Sequence, residues 1–330
     1  MKLPTHTKVF KIIRICLSLM LVSGIYSDIT YPQTITDNNS FIEKLERDSL
    51  KFFLEQTPEK TGLTKDSSRS GSPCSIAAIG FYLANIIVAV DNDWINRSNA
   101  FRRIQTVFTT LEKKAAHKNG FYYHFIDPKT GKRVWGSEAS SIDTALLMAG
   151  VLLAGEYYKG TQVEKRAHKL YNRVQWDWMT NSTNMISHGW KPEKGFLPHY
   201  WDSYSELIIL QALAIGSPTH PVNPEIWNNW NRFEEKVNGN QIVYCSTGSL
   251  FTYQYSHAFI DFRKLNDKGI NYFENSALAS QANAEFCNNF SNDYKTYQNT
   301  WGLTACLGPE GYKAYGASPG NQWLFCSNIL

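Results

Sequence analysis

The chain has 330 residues, of which 43% are hydrophobic, 14% are aromatic and 19% are charged. This composition supports a sizeable core, and the low charged fraction argues against intrinsic disorder. The net charge is only +4 and the chain has no long basic run, which argues against a nucleic-acid-binding protein.

The N-terminus has the pattern of a secretory signal peptide. Basic residues that include Lys8, Lys11 and Arg14 precede the apolar run ICLSLMLV, small residues follow it, and the run is too short to span a bilayer. We therefore expect a signal peptide over residues 1–27, a linker over 28–39, a domain over 40–330, and export to the periplasm or the cell exterior. No later segment has eighteen consecutive apolar residues, so we predict no transmembrane anchor.

Two kinds of helical segment alternate along the remaining chain. Helices that are apolar on nearly every side, and therefore buried, are predicted over residues 75–90, 141–158 and 204–215. Amphipathic helices are predicted over residues 41–54, 98–117, 162–179, 224–237 and 276–288. The buried kind recurs about every sixty residues, which is typical of αα-hairpins. The sequence thus predicts an all-α toroid of helical hairpins in one domain, with short strand-like loops such as residues 121–125.

The sequence has none of the common cofactor motifs and no cysteine spacing typical of a metal or redox site. The five cysteines beyond the predicted signal peptide match neither a zinc site nor a CxxC motif. No HExxH, P-loop or GxGxxG motif occurs. We predict no disulfide, no metal and no cofactor.

Two loops place a glutamate near the start of a buried helix. Glu138 lies in WGSEASSID beside Trp135, and Asp143 falls in the first helical turn, where the helix dipole favours a negative charge. Glu206 lies in WDSYSE, after Asp202, which is a candidate N-cap. Because Glu206 enters an apolar helix, it needs a partner or a wet cavity. Two such acids above an aromatic-lined cavity suit glycoside hydrolysis.

Polar and aromatic residues in neighbouring loops complete the predicted site. His257 and Asp261 are one helical turn apart and are expected to pair. Taken by themselves, they indicate a structural pair and not a catalytic one. Aromatic rings stack well on sugars. The predicted catalytic residues are Glu138, Glu206 and Asp143, and the predicted substrate-binding residues are Trp135, Trp190, His188, Trp201, Tyr204, Asp202 and His257.

Several long motifs occur in a familiar order: FYYHFIDPKTGKRVWGSEASSIDTALLMAGVLLAGEYY, GWKPEKGFLPHYWDSYSELIILQALAIGSPTHP, SLFTYQYSHAFIDFR and WGLTACLGPEGYKAYG. Over residues 41–316 they resemble the glucoamylase-like domain family, the group that contains the bacterial endo-β-1,2-glucanases of glycoside hydrolase family 144. The resemblance implies an (α/α)6 toroid, export to the periplasm or cell surface, and hydrolysis of β-1,2-glucan with inversion and without a metal. We also predict a monomer. It carries over Glu138 and Glu206 as the principal acids, with Asp143 beside them and Glu138 favoured as general acid. It also implies that water is activated through substrate hydroxyls.

The sequence departs from that family at two places. Ala139 stands where relatives usually have leucine, and after Gly316 the chain reads ASPGNQWLFCSNIL where the family continues into three further helices. We therefore expect a toroid that is incomplete at its C-terminus, which works against folding and activity because apolar helix faces stay exposed. Two alternatives remain: a non-catalytic carbohydrate-binding remnant, or a polysaccharide lyase that uses Tyr204 or Tyr255 with a histidine.

Overall fold

In a computed structural model of the protein, residues 38–308, 311–317 and 319–320 are described. The predicted signal peptide, most of the predicted linker and the last ten residues lie outside the described residues. The chain divides into two compact units. Unit 1 comprises residues up to 200 together with 212–224, and unit 2 comprises residues 201–211 together with those from 225 onward.

Unit 1 is built from helices that the sequence pattern predicts well. They are α1 (Asn38–Gln56), α2 (Ile76–Asp91), α3 (Arg97–Lys113), α4 (Ser141–Tyr157) and α5 (Gln162–Asn172). Both buried helices start at a serine cap: Ser75 accepts a hydrogen bond from the backbone N–H of Ala78, and Ser140 accepts one from that of Asp143. Helix α5 ends seven residues before its predicted end, at Asn172.

Helices α2 and α4 approach each other through glycines. A Cβ atom added to Gly150 would collide with the carbonyl group of Gly80, and one added to Gly80 would collide with the carbonyl of Leu146. Both helices are buried along most of their length. The all-round apolar sequences are therefore explained by two inner helices in backbone contact.

Short strands tie the loops of unit 1 together, as the sequence predicts. The antiparallel pairs are β1 (Cys74–Ser75) with β4 (Phe125–Ile126), β2 (His117–Lys118) with β3 (Phe121–Tyr122), and β5 (Ala139–Ser140) with β6 (Gly189–Lys191), which also pairs with β7 (Gly195–Phe196). In the β5–β6 register, Ala139 faces Trp190 and Ser140 faces Gly189. These pairings bring three loops that are distant in sequence to one place.

Unit 2 has an aromatic core and fewer helices. Its elements are the start of α6 (Leu207–Ile215), the hairpin β8 (Glu234–Val237) with β9 (Asn240–Val243), α7 (Tyr272–Asn289), and the hairpin β10 (Cys306–Gly308) with β11 (Gly311–Lys313). Its buried core includes Tyr204, Trp230, Tyr253 and Tyr272.

The predicted helix over residues 224–237 is wrong. A 3-10 turn over Pro224–Asn228 is followed by strand β8. Asn238 and Gly239 both have a positive φ, at 48° and 84°, and they join β8 to β9. Since Asn-Gly is the preferred pair for a two-residue hairpin turn, local turn chemistry outweighs the amphipathic pattern here.

Within the part of the chain that the structure describes, no helix is both long enough and apolar enough to cross a membrane. The four described cysteines, Cys74, Cys245, Cys287 and Cys306, are free thiols. The described chain is mostly helical, as predicted, and the closure of six hairpins into a ring stays a prediction.

Candidate active site

Glu138 lies in the loop before β5 and contacts His124, which lies just before β4. The backbone N–H of His124 donates to the carbonyl of Glu138 at 2.8 Å, and an antiparallel β-bridge joins the neighbouring residues Tyr123 and Ala139. The side chains meet as well, since His124 Nδ1 lies 3.0 Å from Glu138 Oε1. Main chain and side chain thus join the two residues.

Asp143 lies on the opposite edge of the same imidazole ring. Its Oδ1 is 3.7 Å from His124 Nε2. The hydroxyl of Ser140 donates to Asp143 Oδ2 at 2.6 Å, which fixes this carboxylate at the start of α4. The ring of Phe125 stacks on the imidazole, with centroids 3.9 Å apart and an interplanar angle of 17°. His124 is therefore held on two edges and one face.

The charges of this cluster shift the pKa values of His124 and Glu138. Burial by itself lowers the pKa of His124, but the charge of Asp143 and the hydrogen bond and charge of Glu138 outweigh it and raise that pKa to about 9. Burial acts to raise the pKa of Glu138, yet the hydrogen bond from His124 and the charges of His124 and Lys191 lower it overall. Near neutral pH, His124 is a cation and Glu138 is a carboxylate.

This electrostatic state argues against the predicted role of Glu138 as general acid. A carboxyl group that donates a proton to a leaving oxygen needs a raised pKa, as burial away from cations provides. The histidine contact has the opposite effect. Glu138 is suited instead to accepting a proton, or a hydrogen bond from a sugar hydroxyl.

Asp66 is a further acid near His124 that the sequence analysis missed. Its backbone N–H donates to the carbonyl of Pro73 at 2.8 Å, next to strand β1, which pairs with β4. Burial raises the pKa of Asp66, the charge of His124 lowers it, and the charge of Asp143 raises it, with a net upward shift. No motif marks this residue, because a strand pairing between distant segments places it there.

Gly189 leaves room for the Glu138 side chain. A Cβ atom at position 189 would lie 2.7 Å from Glu138 Cγ and 2.7 Å from the carbonyl oxygen of Ala139. Distances below 3.0 Å do not occur for real Cβ atoms. The absence of a side chain on β6 is therefore part of what positions Glu138.

Three of the predicted substrate-binding residues lie in unit 1, as Glu138 does. Trp135 is 71% exposed, with its ring centroid 5.1 Å from that of Phe125. Trp190 is half-buried on β6, and the Lys118 ammonium lies 5.3 Å from the centroid of its ring. His188 is half-buried, 6.1 Å from the ring of His199. The open ring of Trp135 is suited to stacking on a sugar.

Among the described residues, the group with spacing compatible with a metal ion is His124, Glu138 and Asp143, whose ligand atoms lie within 4.8 Å of one another. The two carboxylates face opposite nitrogens of one ring. This arrangement suits a proton on each nitrogen better than one cation held by all three side chains. The predicted absence of a metal stays a prediction.

In unit 2, Glu206 lies directly before α6 and is 9% exposed. Ser256 caps this helix from fifty residues away: its hydroxyl accepts from the N–H of Ile209 at 3.3 Å and lies 3.4 Å from the Glu206 carbonyl. The predicted N-cap role of Asp202 is wrong, since the helix begins five residues later. Asp202 is exposed, and its carbonyl accepts from the N–H of Asn231 at 2.7 Å. Trp201 is half-buried against the core of unit 2.

Tyr204 is a core residue, so its predicted role as a sugar platform is wrong. It is 1% exposed, and its ring stacks on Tyr272 with centroids 5.7 Å apart. Its hydroxyl lies 3.3 Å from Ser276 Oγ, which lies 3.0 Å from His257 Nε2. A ring enclosed in this way cannot meet a ligand.

His257 belongs to the same buried network, and its predicted pairing with Asp261 is wrong. Asp261 accepts two hydrogen bonds from the Arg263 guanidinium, each 2.7 Å long. A 3-10 turn over Ser256–Ala258 replaces the helix that would bring positions 257 and 261 together. Burial lowers the pKa of His257 to about 4, against the smaller effect of the Asp261 charge. With 3% exposure, His257 is a neutral core residue and not a substrate ligand.

Comparison with known proteins shows where this fold occurs. The Glycoamylase family model, described as "Putative glucoamylase", matches residues 198–326. An exo beta-1,2-glucooligosaccharide sophorohydrolase (non-reducing end) from Parabacteroides distasonis is 26% identical over 331 residues, covering 88% of this chain and 45% of the relative. The chain thus spans about half the length of that curated relative.

Solved structures share the fold. A "putative glucoamylase" from Bacteroides fragilis NCTC 9343 superposes with a TM-score of 0.77 at 27% identity, over 88% of this chain and 75% of that one. An endo-beta-1,2-glucanase from Chitinophaga pinensis, in complex with sophorotriose and glucose, superposes with a TM-score of 0.77 at 23% identity, over 85% of this chain and 74% of that one. The resemblance to the glucoamylase-like domain family is confirmed.

Proposed function

We propose that this protein is a glycoside hydrolase that acts on β-1,2-glucan. The observation that carries the proposal is the Glu138 carboxylate, which lies 3.0 Å from His124 Nδ1 in the loop that also holds the exposed ring of Trp135. The similarity to a sophorohydrolase over 88% of the chain supports the same substrate class. The fold shared with an endo-beta-1,2-glucanase agrees with it.

The chemistry assigns different roles to the two principal acids. Hydrolysis with inversion requires one protonated carboxyl at the leaving oxygen and one ionised group that receives a proton from water. Glu138 suits the second role, either directly or through a substrate hydroxyl. Glu206 stays the second proposed essential acid, and Glu138 is not proposed as the general acid. Trp135 and Trp190 are proposed to stack on sugar rings, and no metal takes part in the proposed reaction.

The cellular setting is also a proposal. The pattern of residues 1–27 supports export to the periplasm or the cell exterior, where a polysaccharide substrate is accessible. We further propose that the protein acts as a monomer and that its helices form part of an (α/α)6 toroid. Fractionation of the native host and detection of the protein outside the cytoplasm would test the first point.

Product analysis of the purified full chain on β-1,2-glucan and on short sophorooligosaccharides tests the activity. Release of sophorose alone indicates exo action, and a ladder of products indicates endo action. Binding of sophorotriose in a calorimeter without release of reducing ends would favour the non-catalytic alternative. A product that absorbs in the near ultraviolet would favour a lyase.

Substitution of the two acids tests their roles. Glu138→Gln and Glu206→Gln should each lower kcat/KM by about 10²–10⁴-fold, the usual contribution of a positioned proton-transfer group. The matched control is Glu156→Gln, an exposed glutamate on α4 that pairs with Lys159, and it should leave kcat/KM unchanged. Near-normal hydrolysis by either active-site variant would overturn its assignment.

A further inference from the structure

Resting on that function, we propose that His124 is a positioning residue that holds Glu138 in one orientation as an ionised acceptor, so that Glu138 receives a proton during hydrolysis. The sequence analysis gave His124 no role in the site. Its case comes from its contacts in unit 1.

The first argument is the number of protons that the ring must carry. Glu138 Oε1 lies 3.0 Å from Nδ1, and Asp143 Oδ1 lies 3.7 Å from Nε2. A neutral imidazole has one N–H, so its other nitrogen would turn a lone pair toward a carboxylate. An imidazolium presents a proton on both edges, which makes one contact a charge-assisted hydrogen bond and the other an ion pair.

The second argument is the rigidity of the contact. The stacked ring of Phe125 and the main-chain bond from the His124 N–H to the Glu138 carbonyl fix both residues. Gly189 lies so close to Glu138 Cγ that a Cβ atom there would be only 2.7 Å away, so the main chain of β6 packs directly against this side chain. The Glu138 side chain is still 22% exposed, so a ligand can reach it.

The third argument is the set of charges around the pair. Asp143 on α4 and Asp66 in the loop before β1 both favour the cationic form of His124. Lys191 on β6 and Arg133 in the loop between β4 and β5 both interact electrostatically with Glu138. These groups agree in direction: the pKa of His124 rises to about 9, and that of Glu138 falls below its ordinary value.

Two substitutions separate the charge of His124 from its shape. His124→Phe keeps a ring that can stack on Phe125 but has no donor, and His124→Asn keeps a neutral donor near Nδ1. His124→Phe should lower kcat/KM on β-1,2-glucan by about 10²-fold. It should also move the acidic limb of the pH–rate profile to higher pH, because Glu138 loses its cation. For His124→Asn, both kcat/KM and the acidic limb should lie between those of His124→Phe and those of the wild type.

The matched control is His220→Asn, since His220 lies half-exposed with Nδ1 3.6 Å from Asp177 Oδ1. This control should change neither kcat/KM nor the acidic limb of the pH–rate profile. A His124→Phe enzyme that is slower but keeps the wild-type acidic limb would overturn the proposal, because a purely structural role predicts that result.

An NMR titration of wild-type protein with labelled histidine needs neither a folded variant of His124→Phe nor a substrate. The His124 resonance, assigned by its loss in His124→Asn, should titrate near pH 9. A midpoint at or below 6.5 would overturn the proposal. If the wild type does not hydrolyse β-1,2-glucan, the proposed function fails, and the titration still decides whether His124 holds Glu138 ionised.

Discussion

The two units bury a histidine in opposite ways. In unit 1, His124 lies between two carboxylates, and its pKa is raised to about 9. In unit 2, His257 contacts the hydroxyl of Ser276, and its pKa is lowered to about 4. Burial lowers the pKa in both cases, so the carboxylates beside His124 make the difference. A polar residue in a loop becomes a charged site group or a neutral core group according to its partners.

Two aromatic residues with the same predicted role show a similar contrast. The sequence predicts that both Trp135 and Tyr204 stack on sugar, yet one is 71% exposed and the other 1%. In unit 1 the ring of Trp135 is open to solvent, whereas in unit 2 the ring of Tyr204 is part of the core. Variants of both units test this division.

Truncation of the buried ring should have the largest effect. Tyr204→Ala should lower the free energy of unfolding by about 3–5 kcal/mol, because it removes a large side chain from an aromatic core. Trp135→Ala should change it by less than about 0.5 kcal/mol, while weakening oligosaccharide binding. Denaturant unfolding and calorimetry measure the two quantities. Equal destabilisation by both variants would contradict the contrast.

The glycine contact of unit 1 should be nearly as sensitive. Gly150→Ala forces α2 and α4 apart and should lower the free energy of unfolding by about 3 kcal/mol. Gly160 is the control, since its φ is 79° and nothing lies near a Cβ there, so that alanine costs only about 1 kcal/mol of left-handed strain. If Gly160→Ala proves to be the more damaging change, close helix packing does not govern unit 1.

Acid should destabilise unit 2 through His257. Its pKa is about 4 in the folded state against an ordinary value of 6.5, so the unfolded chain binds more protons between these pH values. Stability is therefore lost as pH falls from 6.5 toward 4, by about 3 kcal/mol. His257→Gln should flatten this part of the curve of unfolding free energy against pH. An unchanged acid slope in the variant would place His257 outside the core.

Alkali should weaken unit 1 through His124, with the opposite sign and a smaller effect. Because the folded-state pKa is raised to about 9, the stabilisation is complete below 6.5 and is lost as pH rises through 9. The side chain is 32% exposed, so solvent screens part of the interaction. Thermal melting between about pH 7 and 10 should show a steeper decline for wild type than for His124→Asn. Parallel curves would mean that the pair adds no stability.

The inner helices of unit 1 could be predicted because their signals are local. A run of apolar residues after a capping serine fixes both the burial and the start of α2 and α4. The helix after Tyr204 starts later than expected, at Leu207, and the N–H of Ile209 in its first turn donates to Ser256, which belongs to a distant segment. The segment after Pro224 departs from the predicted helix because an Asn-Gly turn outweighs helical periodicity.

The candidate site was predictable only in part. Glu138 and Asp143 stand out in the sequence because a short motif places both at the start of one helix. His124, Asp66 and Gly189 do not, since strand pairings between distant loops bring them there. The predicted pairing of His257 with Asp261 fails because a four-residue spacing brings side chains together only within a helix, and this segment is a 3-10 turn.

The empty place at Gly189 bears on attempts to re-engineer this protein. Glu138 can keep its rotamer because Gly189, on the distant strand β6, has no side chain. Saturation libraries aimed at new sugar specificity should therefore keep glycine at position 189. Any larger residue there would displace the Glu138 side chain even though Glu138 itself is not mutated. Randomisation is better directed at the solvent-facing indole of Trp135, which is 71% exposed, although its φ of 57° favours residues that tolerate the left-handed region.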